Sequence, residues 1–558
     1  MGANVMASNI CADGDTLYVR TDSKCLKLDG RTGRQLAAFA TPGAGVWGFI
    51  AVADGTLFGT IEQPVKVRWF QTNLTKIGQE IKDTATTEGG SLFAMDARTG
   101  KVKWTYQAED LIPHNGIAIG GGKVYLIDRP NMSVKVAEAR RRGLPAPSTE
   151  GGRLVALEAD TGKVLWKNEK GISGTLLALS VDHGVLVMGF PTMRRGNMIS
   201  DLGNGLAAFS AADGKRLWEK DIQYLQRPLI VGGMVLVEPG GWDWKTARRR
   251  SPRGLPCAWD LLTGEPKKRR NPVSGEQENW TFGSSGKCSG WTTCENMLFF
   301  RTSTISYFDL TRDEGTAYFG GIRPSCYINV LPVGGIVVAP DTFTGCTGNF
   351  LHRTSIAMQP MPQQEHWTLY NGQPPRAGIV RHLALNLGAP GDRRDADGVL
   401  WLAVPRPVVQ MRASAAVDAR AFMFDKRQLT VDCEENYHRN ADTAGIAGTD
   451  SPWITASGGR GPVRIAIDVS KMPARTAWKV RLHFAELDGA KPGERVFDVK
   501  VQGKTVLEGF DIAEEVGPNT ALVKEFDLPA GAKSLDVQLV PKKGKPILAG
   551  IEALAVAK

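Results

Sequence analysis

The residue types able to do chemistry come closest together in the run Asp392-Arg393-Arg394-Asp395-Ala396-Asp397-Gly398. Three carboxylates within six positions look like part of a calcium loop. A calcium loop needs an acid at its twelfth place, and that place is Ala403. The run therefore reads as an Asp-rich turn ahead of a strand over 399–404. Seven histidines are scattered at His114, His183, His352, His366, His382, His438 and His483, with no metal-ligand spacing. Neither a GxSxG elbow nor a phosphate-binding P-loop is present. No catalytic residue and no metal ligand is assigned from the sequence.

The eight cysteines contain no CxxC or CxxCH, which leaves zinc-ribbon and haem-attachment readings without support. Cys288 with Cys294, and Cys326 with Cys346, are close enough in sequence for disulfides in an oxidising compartment. Buried free thiols account for them equally well. Two other stretches could hold a ligand. Trp242 and Trp244, in GGWDWK, sit beside a basic cluster. Arg323, Cys326 and Asn329 are polar positions in a strand-like segment, where bracing is the competing role.

The formal charge is +10, and nearly all of the excess precedes residue 420. It concentrates at Arg140-Arg141-Arg142 and from Lys245 through Arg248-Arg249-Arg250 to Lys267-Lys268-Arg269-Arg270. An anionic partner or solvated loop tips both account for such clusters. No helix-turn-helix pattern or aromatic stacking motif accompanies them, so nucleic acid is not expected. No apolar run reaches the ~18 residues that span a membrane. No signal peptide is visible in the chain.

What must position these residues is a repeat. Five segments share an apolar strand, an acidic or small residue, then Thr-Gly or Asp-Gly. They are LKLDGRTGRQLAAF, LFAMDARTGKVKW, LVALEADTGKVLW, LAAFSAADGKRLW and CAWDLLTGEPKK. Their glycines, Gly33, Gly100, Gly162, Gly214 and Gly264, are spaced by 67, 62, 52 and 50 residues. The acid and the Thr-Gly pair close a tight turn in which glycine supplies a positive φ. Three copies place a Trp four residues after the glycine, large enough to pack between neighbouring sheets. Each copy is preceded by a Gly-containing turn and another apolar strand. Four short strands per ~50–65 residues make one propeller blade. Two degenerate units, over 295–310 and 334–360, keep the strands and lose the Thr-Gly-x3-Trp signature. Seven blades are expected, or eight if strands from both ends close another.

The DxxTGxxxW copies resemble the pyrroloquinoline-quinone (PQQ) repeat of quinoprotein alcohol dehydrogenases and of BamB-type outer-membrane assembly lipoproteins. The stretch from NMLFFRTSTISYFDL to TSIAMQP, with LALNLGAPGDRRDADGVLWL, resembles large PQQ-like propeller proteins of planctomycete-type bacteria. Resemblance to the dehydrogenases implies PQQ and calcium as cofactors; the BamB type binds no quinone. Sites of the quinone enzymes often carry a disulfide between adjacent cysteines, and this sequence has no Cys-Cys pair.

Beyond a linker at 406–416 the pattern changes. Ile465-Ile467-Val469, Trp478-Val480-Leu482-Phe484, Phe497-Val499-Val501 and Leu535-Val537-Leu539 alternate with polar residues, as half-buried antiparallel strands do. A jelly-roll β-sandwich over 417–558 is expected, following a β-propeller over 1–405. VDCEEN, WKVRLHFAEL, RVFDVKVQGKTVLEGFDI and KGKPILAGIEAL resemble a malectin-type domain. That resemblance implies sugar binding through loop aromatics, for which Tyr437 and Trp453 are the candidates here.

The sequence thus points to an all-β, secreted or periplasmic protein without a transmembrane segment. The leading expectation is a binding or scaffold protein that needs no cofactor, with carbohydrate or an envelope protein as partner. A PQQ- and calcium-dependent alcohol or sugar dehydrogenase and a BamB-like assembly factor are the alternatives.

Overall fold

The computed structural model describes residues 10–556 apart from 22, 63–65, 69–81, 85–87, 131–142, 144–150, 195–197, 244–247, 251–253, 283–289, 302–303, 320–321, 323–329, 340–354, 362–364, 407–423 and 425–426. Two compact units are present. One comprises 1–252 with 258–266, the other 253–257 with 267–558.

In the first unit the chain lays down sheets in sequence order. Four antiparallel sheets of four strands each lie within residues 10–39, 46–113, 117–168 and 176–220. A fifth, of three strands, comprises Leu229–Val231, Met234–Leu236 and Ala258–Asp260. Turn chemistry explains the outer hairpins. Asp29 Oδ1 accepts from the Thr32 amide and hydroxyl, both at 2.8 Å, and the Gly33 amide donates to Asp29 O. Gly33 has φ +71°, which L-residues rarely adopt. Asp96 and Asp260 repeat the arrangement with Thr99 and Thr263.

The ring that ends each repeat docks onto the next one. A Cβ placed on Gly162 would lie 2.6 Å from the Trp104 ring, and Trp104 Nε1 donates to Ala159 O at 2.8 Å. Trp166 stands in the same relation to Gly214, Trp218 to Gly264, and the Phe39 ring to Gly100. Between consecutive sheets lies a closed apolar layer. Tyr125, Ile127 and Leu154 of the third sheet meet Leu186, Met188 and Phe209 of the fourth. Such face-to-face layers of four-stranded meanders, joined in chain order, are propeller blades.

The second unit begins with a two-stranded sheet of Lys268–Arg270 and Gln277–Asn279. A four-stranded sheet within 292–319 and a three-stranded one within 331–358 follow. These two are the degenerate units, packed through Phe299, Ile305, Val330 and Ala339. Their turn chemistry is less degenerate than the sequence suggests. Asp309 Oδ1 accepts from the Thr311 amide at 2.8 Å, and Asp313, with φ +46°, stands where other copies have glycine. A further turn of the same kind is built by Asn271, whose Oδ1 accepts from the Val273 and Ser274 amides, with Gly275 at φ +70°.

The sandwich follows. One sheet orders the strands Leu429–Asp432, Val463–Asp468, Ser534–Lys543, Val496–Val501 and Lys504–Phe510. The alternating residues predicted to face inward do so: Ile465, Val480, Leu482, Phe484, Phe497 and Val499 are fully buried in one core. Gln502 and Gly503, both with positive φ, turn the hairpin between Val496–Val501 and Lys504–Phe510. A second sheet includes Ala477–Phe484, Leu522–Leu528 and Gly550–Val556, and also His382–Leu387 and Leu400–Val404. These last two precede the expected linker. Leu385 pairs with Ile551, and Leu383, Leu385 and Leu387 join the sandwich core. LALNL and LWLAV therefore lie in the sandwich sheet rather than in a blade. Of the expected linker, 407–416 lies outside the described residues.

Candidate ligand-binding cleft

The Asp392 run reads as a turn in the structure too. Asp392 Oδ2 accepts from the Tyr370 amide at 2.7 Å, its Oδ1 from the Ala403 amide at 2.9 Å, and Arg406 also pairs with it. Asp395 accepts from the Val399 amide and from Trp401 Nε1. Both carboxylates are engaged by protein donors. Among the described residues no group of three or more His, Cys, Asp or Glu side chains could hold a metal ion.

Of the aromatic candidates of the sandwich, Trp453 is buried and Tyr437 half-buried under Arg460. Trp453 is 5% exposed, in edge contact with Trp367 and Trp401, with the Arg393 guanidinium 5.0 Å from its ring centroid. A stacking platform must offer a face to solvent, so Trp453 is a core residue. The Tyr437 ring carries the Arg460 guanidinium 4.4 Å from its centroid, and a Cβ on Gly458 would meet the ring at 2.7 Å. The Tyr437 hydroxyl is buried without a hydrogen-bond partner among the described residues, and burial pushes its pKa up. Trp242 lies on the strand Gly241–Asp243, paired with Arg249. Trp244, Arg323, Asn329, Cys288, Cys326 and Cys346 lie outside the described residues. Cys294 is exposed and forms no disulfide among the described residues. Of the basic clusters, Arg269 is buried and not a solvated tip. It pairs with Glu278 and Asp313, each at 2.8 Å, and lies over the Tyr370 ring.

The structure instead brings together charged residues that sequence reasoning passed over. An open cleft of about 440 Å³ on the sandwich is lined by Glu435, Arg460, Asp488, Glu494, Arg495 and the Gly544-Lys545 corner. Beneath it is a buried pair, Arg495 Nε to Glu486 Oε2 at 2.8 Å, with Glu486 1% exposed. Glu486 also accepts from the Asp488 amide at 2.8 Å, which fixes the loop after Ala477–Phe484. Asp488 then receives three guanidiniums: Arg439 at 2.9 Å, Arg495 at 2.9 Å and Arg460 at 2.5 Å. Burial alone would raise its pKa, but the Arg460 hydrogen bond and the three positive charges hold it below the usual carboxylate range. Arg460 ends the strand Ser457–Arg460 and is paired in register with Glu435. Gly544 has φ +66°, and a Cβ there would meet Glu494 O at 2.7 Å, so only glycine lets this corner approach. Lys545 extends from it, 56% exposed, and pairs with Glu434 at 2.8 Å. The available signal was charge at strand ends inside the malectin-like motifs, in HFAELD and GERVFDV.

A second polar cluster lies in the first unit. His114 Nε2 pairs with Glu62, and Thr60 Oγ1 lies 3.2 Å from the same nitrogen. The pair is about 1% exposed, and the Phe49 amide donates to Thr60. A nucleophile–base–acid relay needs the acid on the opposite ring nitrogen, and here both partners share Nε2. A calcium-held quinone needs convergent oxygen ligands from carboxylates and an amide. Glu62 is engaged by His114, Asp128 by the Glu109 and Asp110 amides, and Asp392 by its three donors. These residues do not fit that group.

Blades, docked rings and sandwich define the class: an all-β chain in which a β-propeller is followed by a β-sandwich. Residues 143–237 match the family model described as outer membrane protein assembly factor BamB, and residues 471–550 match the malectin domain. The quinoprotein alcohol dehydrogenase PedH of Pseudomonas putida is 28% identical over 181 residues, 29% of this chain and 24% of that protein. The outer membrane protein assembly factor BamB of Burkholderia pseudomallei is 26% identical over 280 residues, 47% of this chain and 65% of that protein. The matches thus span 24% and 65% of the lengths of these curated relatives. The crystal structure of BamB from Moraxella catarrhalis aligns with 60% of this chain and 80% of its own at 13% identity, with a TM-score of 0.30. Among the described residues no helix is long and apolar enough to cross a membrane.

Proposed function

We propose that this protein is an extracytoplasmic binding and scaffold protein, in which the blades form a rigid platform and the sandwich carries a carbohydrate-binding module. The observation that carries the reading is the sandwich cleft. It is open, lined by charged side chains, and held by the buried Arg495–Glu486 pair, as a preorganised binding site is. The succession of ring-on-glycine contacts supports the platform half, since each of the first five sheets is locked to the next of them by a large ring. Likeness to assembly factors favours an envelope protein as a second partner of the blades.

The test is an array of cell-surface glycans probed with the full chain. The reading expects binding to at least one glycan class, lost when the cleft is disrupted by Asp488→Ala. Binding to no glycan, or binding that Asp488→Ala leaves unchanged, removes the cleft from the proposal. Dye-linked oxidation of alcohols or sugars after loading with PQQ and calcium overturns the non-enzymatic reading altogether.

A further inference from the structure

We infer that the sandwich cleft selects a saccharide bearing a carboxylate, with Arg460 and Lys545 as the residues that read the acid. This rests on the proposed binding function and names the ligand class of the same site.

The cleft's polar side chains do not stand on equal terms. Its central acids are already engaged. Asp488 is held by three guanidiniums, and Glu486 by Arg495 and two backbone amides. Glu494 accepts from the Lys491 amide at 2.9 Å. Two cations lining the cleft keep donors in hand. Arg460 directs Nε and Nη2 at Asp488, while its Nη1 lies 3.5 Å from Glu435, beyond a short hydrogen bond. Lys545 is 56% exposed, and its pairing with Glu434 takes one of three ammonium donors. Two partly open cations, one of them planar and fixed, suit a carboxylate. Charge-assisted bonds to guanidinium and ammonium are strong, and those to guanidinium are geometrically selective. Glu435, 48% exposed and loosely paired, is placed to accept from sugar hydroxyls.

Neutral sugars depend more on aromatic stacking, and here that route is narrow. One face of the half-buried Tyr437 ring is taken by the Arg460 guanidinium, which Asp488 holds in place. Trp453 is in the core. The same arginine that would bind an acid thus covers one face that a neutral ring would use.

Isothermal titration of the full chain with three hexasaccharides tests this: hexagalacturonate, the neutral cellohexaose and the cationic chitosan hexamer. Hexagalacturonate is expected to bind, weakening as salt is raised, with at least about tenfold discrimination over the other two. Lys545→Ala, an exposed change expected to leave the melting temperature unaltered, should weaken it about tenfold. Arg460→Ala should abolish it, and Arg460→Lys should restore it only in part, since lysine lacks the planar fork. Absence of hexagalacturonate binding, equal or tighter binding of cellohexaose, or an affinity indifferent to Lys545→Ala would each overturn the inference. Tight cellohexaose binding would do so while leaving the binding function standing. Turnover with loaded PQQ would instead remove that function itself.

Discussion

The Trp104 indole lies against Gly162, so that a Cβ on that glycine would stand 2.6 Å from the ring, and Trp104 Nε1 donates to Ala159 O in the same turn. One residue of a repeat thereby fixes the turn of the next. Gly162→Val would force both a positive φ on a β-branched residue and displacement of the indole. Strain and overpacking together predict a loss of roughly 2–4 kcal/mol. Trp104→Ala should cost about 3–5 kcal/mol through the cavity it leaves. Denaturant unfolding of the full chain, followed by tryptophan fluorescence, checks both. A Gly162→Val variant as stable as the parent would contradict this account of the docking.

Arg269 is buried with Glu278 and Asp313 as its counter-charges, and its guanidinium lies over the Tyr370 ring. Asp313 holds a positive φ in its turn while making that pair. Glu278→Ala leaves a buried guanidinium short of one partner and should destabilise by about 3–5 kcal/mol. The double variant with Arg269→Met should recover part of that loss. A thermal-unfolding cycle of the two single variants and the double variant measures the coupling.

His483 lies edge-on to Trp401, with ring centroids 4.9 Å apart, and its buried Nε2 has no hydrogen-bond partner among the described residues. Burial, opposed by Glu552 and reinforced by Arg481, lowers its pKa to about 4. A histidine held neutral in the fold binds fewer protons than in the unfolded chain between that value and about 6.5. Its contribution to stability is therefore intact above pH ~6.5 and falls as pH drops toward ~4, by roughly 3 kcal/mol. His483→Gln should flatten the slope of stability against pH in this window. An unchanged slope would show that other groups set it.

Trp453 offers no face to a ligand, so its replacement should act on folding and not on recognition. Trp453→Leu is expected to lower stability by about 2–4 kcal/mol through lost packing. Saccharide affinity, measured below the variant's melting temperature, should stay close to that of the parent. A selective loss of affinity without loss of stability would return Trp453 to the binding surface.

Much of the architecture was legible because local chemistry dictates it. Asp-x-x-Thr-Gly closes a hairpin by side-chain-to-amide bonds that need no tertiary help, as Asp29 and Asp96 show. Alternation such as Val480-Leu482-Phe484 marks a half-buried strand wherever it occurs. The turns at Asn271 and Asp309 escaped notice because Asn replaces Asp in one and Asp313 replaces glycine in the other. The placement of His382–Leu387 in the sandwich depends on long-range pairing with Gly550–Val556, which a local pattern cannot carry. The cleft is of the same kind. Arg439, Arg460 and Arg495 are far apart in sequence and meet only because Asp488 gathers them. Loop aromatics misled for the converse reason: Trp453 sits in a largely polar stretch of sequence, yet Trp367 and Trp401 bury it.

The proposal that this protein binds and does not oxidise is tested most directly by reconstituting the purified full chain with PQQ and calcium. Absorbance and dye-linked oxidation of alcohols and sugars are then followed. The account predicts no bound quinone band after desalting and no turnover above the free-cofactor rate. A retained stoichiometric quinone with substrate-dependent dye reduction would contradict it.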